Sequence, residues 1–533
     1  TGRTVARKKI PENSAIFPEK SHASIRCMVL HANPRILFPL PRQYRRGLSR
    51  FMHLHENYPI KRAGVAGRAL RAMPIKTFTS MPFFWGILCS KFMNTKPLHL
   101  QGILTMPTTP DGYVSYLKPS SNKWKALNDD SYLYWRDLQA NKVIQDAGAP
   151  VPPALPLSEV EKKDLKENQA YINEFLLKSL QFPNLSFFAG SGTSLGDVGG
   201  PSMWDLWKCA MWIDPTTDEE GKLKPIALSV CEKVKYQDIE YPNIEHFLSN
   251  CEAFLAFHHD GEVLAFLNEV KTIILNKCRD FLENGSSDLS SYVSLLQKMG
   301  RRRVRDPRLK VFTTNYDLTF ETAASELGMM VVDGLSYTGV RRFDGKYFNY
   351  DVVHRDENEH EFIDGVFNLF KLHGSVSWIR KNGQIYENQK PTATNACLIY
   401  PAKGKYQQAF IQPHLELLSR LLDFLRKKNS CLIISGFGFN DDHLSEPIYS
   451  AIKSNPSMRL IVVDFKCATH INNKGENGSS KYWGLLKELS LSGYDIHFLN
   501  ASFKDFVNLI PNLRALTPAE QLAKAIKQVG GNN

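Results

Sequence analysis

The most constraining feature of this chain is a series of short apolar segments, each followed by small or polar residues. The segments cover 185–189, 310–314, 367–372, 431–435 and 460–464, and helical patterns lie between them. Short apolar segments bounded by turn residues are typical of buried strands. Strands that alternate with helices form parallel sheets. The sequence therefore predicts an α/β fold with a Rossmann-like, doubly wound parallel sheet.

Helix signals support this prediction and add a second layer. Ser158 and Glu161 form a capping-box pattern, which predicts a helix over 159–180. Further helices are expected from about Ser202, over 318–327, around Leu415, Leu418, Leu422 and Leu425, and over 442–454. From 243 to 299, apolar residues such as Ile244, Phe247, Leu248, Cys251 and Leu255 recur at helical spacing, which predicts a helical layer inserted at about 215–300. Asp344-Gly345 and Asn382-Gly383 are hairpin-turn signals.

The length of 533 residues allows two to four domains at about 150 residues each. A Pro-rich segment at 149–156 predicts a boundary between an N-terminal extension, 93–157, and the organised domain, 158–512. Residues 513–533 are expected to form a C-terminal helix and tail.

The positive charge of the chain is concentrated at one end. Residues 1–92 carry 17 Lys and Arg but three acidic residues, a net charge of +14, whereas the remainder has 49 basic and 51 acidic residues. This segment is interpreted as a disordered leader: a nucleic-acid arm, a targeting sequence, or non-native upstream sequence. Nucleic-acid binding by the nearly neutral body is not expected. The run Arg301-Arg302-Arg303-Val304-Arg305 is interpreted as a solvated loop or a contact to a nucleic-acid-loaded partner.

The nine cysteines include no CxxC pair. Their spacing argues against a structural zinc site and against a disulfide framework, so no metal is expected. Scattered cysteines fit a reducing cytoplasm, and no apolar run reaches the roughly 18 residues of a membrane span. A cytoplasmic protein without membrane contact is the expectation.

A glycine-rich loop follows the first predicted strand. In α/β folds, a loop such as Gly190-Ser191-Gly192-Thr193-Ser194 lets a diphosphate approach the backbone and the free N–H groups of the next helix. The alternative is a tight turn that needs glycine for its backbone geometry. Pro201 and Trp204 lie in a second flexible turn, which suits a mobile lid or a plain helix start.

Polar residues follow the later strands at the same edge of the sheet. Asn315 and Asp317 suit a ribose and a positioned water, although the alternative is a helix cap. His373 suits a general base, although a lone histidine is more often structural. Gly436 and Phe437 follow a further strand, and Asp464 ends the strand after it, where it is expected to accept a ribose hydroxyl.

As an ordered set, these motifs resemble the sirtuin (silent-information-regulator) family over about residues 158–510, in particular the sirtuin-like domains of bacterial antiphage defence. Gly190–Ser194 is similar to the family's cofactor loop, Thr314–Asp317 to its TQNID-type segment and Leu372–Gly374 to its catalytic HG, and 435–439 looks like its later GTS loop. The four zinc cysteines and the acyl-lysine-binding FGE stretch of sirtuin deacylases are missing from the sequence.

The resemblance implies that NAD is a substrate, with Asn315, Asp317 and His373 as catalytic residues. Gly190 to Ser194, Pro201, Trp204, Gly436, Phe437 and Asp464 would then bind NAD. The implied activity is that of an NAD glycohydrolase (NADase) that depletes NAD in infected bacteria, an abortive-infection response. The family also implies a homo-oligomer and a trigger: a DNA-translocase ATPase, a short Argonaute or a phage protein. The alternatives are a non-catalytic NAD or ADP-ribose binding module and an NAD-dependent lysine deacylase.

Overall fold

The computed structural model describes residues 113–136, 156–216, 222–238, 242–283, 285–302, 306–356, 360–400, 409, 411–473 and 479–512. The predicted leader, 1–92, and the C-terminal helix and tail, 513–533, lie outside these residues, as does most of the Pro-rich segment.

Strands and helices alternate through the described residues. The strands are β1 Ser115–Leu117, β2 Lys125–Ala126, β3 Asn184–Ala189, β4 Leu309–Thr313, β5 Met330–Val332, β6 Val353–Arg355, β7 His360–Phe362, β8 Val366–Lys371, β9 Gly374–Lys381, β10 Gln384–Glu387, β11 Ala396–Leu398, β12 Ser430–Ser435, β13 Met458–Asp464 and β14 Ile496–Asn500. The helices are α1 Glu159–Leu180, α2 Met203–Met211, α3 Pro225–Lys233, α4 Ile244–Leu255, α5 Gly261–Asp280, α6 Ser290–Met299, α7 Thr319–Glu326, α8 His414–Leu425, α9 Asp442–Ser454, α10 Cys467–Asn473, α11 Lys481–Leu491 and α12 Phe503–Leu509.

The main sheet has the strand order β2-β1-β14-β13-β12-β3-β4-β8-β5. All neighbouring pairs from β14 to β5 are parallel, whereas β1 and β2 add an antiparallel edge beside β14. Strands β3 and β12 are neighbours near the centre of the sheet. After β3 the chain continues to β4 on one side of this pair, and after β12 it continues to β13 on the opposite side. The predicted doubly wound parallel sheet is therefore confirmed.

Alternating side chains of the strands fill two cores, one on each face of this sheet. Phe188 packs with α8, α9 and α11, whereas its neighbour Phe187 packs with α1, α6, α7 and α12. Successive strand residues point to opposite faces, so a strand with helices on both sides is apolar throughout. This is why β3 and β12 are continuous apolar segments in the sequence.

The predicted helical layer is present and has its own core. Helices α2 to α5 bury a third apolar cluster, to which Val376 and Leu398 contribute from a small antiparallel sheet, β10-β9-β11. Ile244, Phe247, Leu248 and Cys251 are buried as the helical spacing predicts. Helix α6 instead packs on the main sheet. The layer therefore meets the parallel sheet at the edge where the polar residues lie.

Several local predictions are confirmed and one is wrong. The capping box at Ser158, α9 and the hairpin at Asn382-Gly383 have the predicted positions. The helix predicted around Leu415, Leu418, Leu422 and Leu425 is α8, although Leu415 itself is exposed. Asp344-Gly345 is not a hairpin turn, because the Asp344 carboxylate accepts a hydrogen bond from the Lys346 backbone N–H and starts a 3-10 helix.

None of the described helices combines the length and apolar character that crossing a membrane requires. Arg302, part of the predicted solvated loop, is buried and donates hydrogen bonds to the backbone carbonyls of Leu180, Phe182 and Pro183. The interpretation of residue 302 as solvated is therefore wrong, because its guanidinium caps the turn between α1 and β3.

Candidate active site

The candidate site lies at the carboxyl ends of four adjacent strands. Ala189, Thr313, Lys371 and Ser435 are the last residues of β3, β4, β8 and β12, and the strand register aligns them across the sheet. Because the chain leaves β3 and β12 in opposite directions, the two strands form a topological switch point, where open α/β sheets bind ligands.

The glycine-rich loop after β3 packs directly on the loop after β12. The Gly190 N–H donates to the Ser435 carbonyl and the Gly192 N–H donates to the Gly436 carbonyl, both at 2.9 Å. A Cβ atom on Gly190 would lie 2.3 Å from the Gly436 carbonyl oxygen, so only glycine permits this approach. The N–H groups of Thr193 and Ser194 also donate within the loop. The glycines of this loop thus allow the backbones after β3 and β12 to pack closely against each other.

Asn315 is the central polar residue of the site. It is 8% exposed, and its side-chain amide N–H groups donate to Ser194 Oγ at 2.9 Å and Thr193 Oγ1 at 3.3 Å. Its carbonyl oxygen, Oδ1, is buried and accepts no hydrogen bond from the described protein atoms. A buried carbonyl without a donor costs free energy, so this oxygen is suited to a ligand hydroxyl or a water.

Asp317 differs from Asn315 because both of its carboxylate oxygens already have protein donors. Ser194 Oγ donates to Oδ2 at 2.8 Å, and the N–H and hydroxyl of Thr319 donate to Oδ1 at 3.2 and 2.7 Å. The alternative of a helix N-cap at Asn315 or Asp317 is not realised, because Leu318 is the N-cap of α7 and Asp317 binds the first helical residue instead. Asp317 also faces the cavity described next, so it links the helix start to the site.

A cavity of about 320 Å³ opens beside these residues. Its size is at the lower end of ligand pockets, which are about 300–1,000 Å³. Of the predicted site residues, those that line it are Ser191, Ser194, Pro201, Asn315, Asp317 and His373. The structure thus brings together the three predicted catalytic residues with one end of the glycine-rich loop.

His373 lies between β8 and β9 and is 3% exposed. Its Nε2 atom is 3.0 Å from Nε2 of His443, the second residue of α9. In a neutral pair at this distance, one ring donates a proton and the other accepts it. For His373 to act as a base in this pair, it must donate from Nε2 and accept a proton at Nδ1.

The same pair of histidines has a carboxylate beside it. The ligand atoms of His373, Asp441 and His443 all lie within 4.8 Å of one another, and Asp441 lines the cavity. Imidazole nitrogen and carboxylate oxygen are common metal ligands. These three side chains are therefore the candidate metal ligands in the described part of the chain.

Four predicted cofactor residues lie near the cavity without lining it: Gly190, Gly192, Thr193 and Gly436, which form the packed loops beneath it. Three others lie elsewhere. Trp204 is partly exposed and contacts Trp212 edge-on, and Phe437 is buried against Phe188. Asp464 ends β13, one strand beyond β12, and burial raises the pKa of its carboxyl to about 6. Their roles in NAD binding stay predictions.

Sequence reasoning missed contributions from α5, α6 and α9. Tyr292 of α6 is fully buried, with its hydroxyl 2.8 Å from Thr193 Oγ1 and 2.9 Å from Ser194 Oγ. Cys278 of α5 lines the cavity, and burial raises the pKa of its thiol to about 12. The polar run before α9 contained the signal for Asp441 and His443, but an apolar helix face contains none for Tyr292.

Comparisons with solved structures give low similarity. A Sir2 homologue in complex with NAD has 12% sequence identity and a TM-score of 0.34, covering 63% of this chain and 91% of that chain. A Sir2 homologue mutant in complex with 2'-O-acetyl ADP ribose has 11% identity and a TM-score of 0.32, covering 63% and 94%. A Sir2 enzyme structure has 11% identity and a TM-score of 0.30, with the same coverage.

No curated protein matches the chain. A family model does match part of it: residues 309–488 match the model of the SIR2-like domain, which is about a third of the chain. Asn315, Asp317, His373 and His443 lie inside the matched segment, whereas the glycine-rich loop precedes it. The part of the chain that supplies the three predicted catalytic residues is thus similar to SIR2-like domains.

Proposed function

We propose that this protein binds NAD and hydrolyses the bond between nicotinamide and ribose, releasing nicotinamide and ADP-ribose. The main supporting observation is that Asn315, whose buried Oδ1 has no donor among the described protein atoms, lines the same cavity as Asp317 and His373. The match of this segment to the SIR2-like domain supports NAD as the substrate. The cavity would take the nicotinamide riboside end.

Cleavage of this bond develops oxocarbenium-like positive charge on the ribose, as in glycoside hydrolysis. Both amide protons of Asn315 are directed toward Ser194 and Thr193. Its carbonyl oxygen is therefore the group left without a partner among the described residues, and it would accept a hydrogen bond from a ribose hydroxyl or the attacking water. A fixed carbonyl dipole with its negative end toward the developing charge stabilises the transition state.

His373 would remove a proton from the attacking water or from a ribose hydroxyl. General-base assistance contributes about 10²–10⁴ in rate. The contact with His443 holds the ring, because a buried imidazole with a partner on one nitrogen has a defined orientation. Water is the proposed acceptor in place of an acyl-lysine.

The test compares the full-length chain with Asn315→Ala, following NAD loss and nicotinamide release without an acylated peptide. Asn472→Ala is the matched control, because Asn472 lies exposed on α10 away from the cavity. We expect release by the parent and the control, and at least about a hundredfold less by Asn315→Ala, as for loss of one transition-state hydrogen-bond partner. Circular dichroism establishes that each variant is folded.

The other outcomes identify the rival functions. NAD binding without nicotinamide release would favour a binding module, for which the internal partners of both Asp317 oxygens are the supporting observation. Release that requires an acyl-lysine peptide would favour a deacylase. Absence of NAD binding would overturn the proposal.

We further propose that the activity serves antiphage defence, with an oligomer and an activating partner as the resemblance implies. Its support is the sequence resemblance alone. The test measures the NAD content of bacteria that express the parent or His373→Ala, with and without phage. Depletion that requires both the phage and His373 is expected, and equal NAD content in all four cultures would contradict the role.

A further inference from the structure

A cluster of three metal-ligating side chains lies at one wall of the cavity, and the proposed hydrolysis uses only one of them. His373 lies between β8 and β9, whereas Asp441 and His443 come from the start of α9. The two histidines are 3% and 4% exposed, and Asp441 is partly exposed at the cavity. The cluster thus has two buried ligands and a third one beside an open space.

The distances suit a single small cation. Zinc binds imidazole nitrogen at about 2.0–2.1 Å, so two nitrogens 3.0 Å apart would subtend about 95° at a shared ion. A carboxylate oxygen of Asp441 lies within 4.8 Å of a ring nitrogen of each histidine, so a change in the rotamer of this partly exposed side chain would place it next to the ion. Three protein ligands leave a coordination position open toward the cavity.

The carboxylate of Asp441 favours a metal site over a simple hydrogen-bonded pair of imidazole rings. Two imidazoles alone need no third partner, but a dication in a buried position needs anionic compensation. We propose that His373, Asp441 and His443 bind one divalent transition-metal ion of the zinc class. This proposal departs from the sequence expectation of no metal, which rested on the cysteine spacing.

The ion would act as an inhibitor of the proposed hydrolysis, and this consequence rests on the proposed function. Metal binding at Nε2 of His373 leaves the ring proton on Nδ1, because a neutral imidazole has one lone pair and one N–H. His373 would then have no free lone pair with which to act as a base. Nicotinamide release should therefore fall as zinc is added and return when a chelator removes it.

The experiment measures metal binding directly on the full-length chain, without an affinity tag and after treatment with a chelator. The parent, His443→Gln and Asp441→Asn are dialysed against Zn²⁺, and bound zinc is counted per chain. His354→Gln is the matched control, because His354 lies exposed on β6. We expect one ion bound to the parent and the control with the same affinity. Loss of a second-shell partner costs 10–100-fold in metal affinity, so loss of the His443 ligand should cost at least about 100-fold.

The chain also has nine cysteines, and thiolates are zinc ligands, so Co²⁺ provides a second readout that tells the two kinds of ligand apart. Cobalt held by two imidazoles and a carboxylate gives visible ligand-field absorption without the intense thiolate-to-cobalt band. Loss of this signal in folded His443→Gln, with its retention in His354→Gln, supports the site. Absence of bound metal, a thiolate band, or equal binding by the parent and His443→Gln overturns it.

The metal site and the proposed hydrolysis can fail independently, and the two failures give different results. A parent that binds one ion at this site but never releases nicotinamide retains the metal site and loses the proposed hydrolysis. A parent that releases nicotinamide and binds no ion retains the hydrolysis, with His373 and His443 as a hydrogen-bonded pair.

Discussion

At the scale of single residues, Asn315 and Asp317 have opposite hydrogen-bonding situations although they are two positions apart. The oxygens of Asp317 accept hydrogen bonds from Ser194 and Thr319, which joins the glycine-rich loop to helix α7. Asn315 donates to that loop, and its carbonyl oxygen accepts no hydrogen bond from the described protein atoms. Asp317 therefore holds the loop and the helix together, whereas the proposed role of Asn315 depends on its unpaired carbonyl oxygen.

Replacement of His373 by alanine should lower the rate of nicotinamide release about 10²–10⁴-fold, the usual contribution of a general base. NAD affinity should change far less, because the base acts on the transition state. Single-turnover kinetics and NAD titration of the folded variant measure the two effects. An unchanged release rate would rule out His373 as the base.

Asp464 predicts a pH dependence of stability. Its carboxyl has a pKa of about 6 in the folded protein, because burial penalises its charged form, against about 3.9 in an unfolded chain. Between those two pH values the carboxyl is protonated in the folded state and ionised in the unfolded state. The contribution of Asp464 to the free energy of unfolding is therefore full below pH 4 and decreases as the pH rises to 6. Asp464→Asn removes this loss.

Urea unfolding at pH 4 and pH 7.5 should therefore show the stability of Asp464→Asn rising relative to the parent by about 2–3 kcal/mol between the two pH values. Asp423→Asn, at an exposed position of α8, is the control and should show no such change. A stability difference that is the same at both pH values would contradict the raised pKa.

At the scale of elements, the loops after β3 and β12 determine the shape of the site because their backbones touch. Gly436 has a positive φ of 62°, and a Cβ atom there would lie 2.6 Å from the Thr193 backbone nitrogen. Gly190 has an ordinary φ of −98°, so its requirement for glycine is purely one of space. Neighbouring parallel strands thus position Ser194 and the cavity through glycine contacts.

Gly190→Ala should therefore destabilise the protein by about 1–3 kcal/mol, the typical cost of inserting a methyl group into a packed region. Gly261→Ala is the matched control, because a Cβ at the first residue of α5 meets no atom within 4 Å. Thermal unfolding of both variants measures the difference. Equal stability of the Gly190→Ala and Gly261→Ala variants would show that the loops after β3 and β12 can move apart without loss of stability.

At the scale of the whole molecule, the helical insert takes part in the site as well as in its own core. Helices α2 to α5 bury their apolar faces together, and α5 contributes Cys278 to the cavity wall. Helix α6 packs on the sheet and places the Tyr292 hydroxyl against Thr193 and Ser194. The cavity wall therefore combines a side chain of the insert with a hydrogen-bond network that α6 completes on the sheet.

Tyr292→Phe should lower the free energy of unfolding by about 1 kcal/mol, the net value of a typical hydrogen bond. It should also slow nicotinamide release, because Thr193 and Ser194 then hold the Asn315 amide less rigidly. Tyr337→Phe, at an exposed position, is the control. A Tyr292→Phe variant with the stability and rate of the parent would show that α6 does not support the site.

The sequence by itself determined the elements whose signals are local. The capping box of α1, the bounds of α9, the hairpin at Asn382-Gly383 and the apolar strands follow from residues that are near neighbours in the chain. Since parallel strands end at one edge of a sheet, the meeting of Asn315, Asp317 and His373 also followed from their positions after strands.

Only the tertiary structure decided which distant residues touch. His443 reaches His373 across 70 positions, and Tyr292 reaches Ser194 across 98. Asp344 starts a 3-10 helix in place of a hairpin, and Arg302 is buried under three carbonyls. The local pattern of residue types in the sequence indicates backbone preferences and the amphipathic faces of helices. The contacts named here depend instead on how whole helices pack across the sheet. The packing brings a second imidazole and a carboxylate to His373.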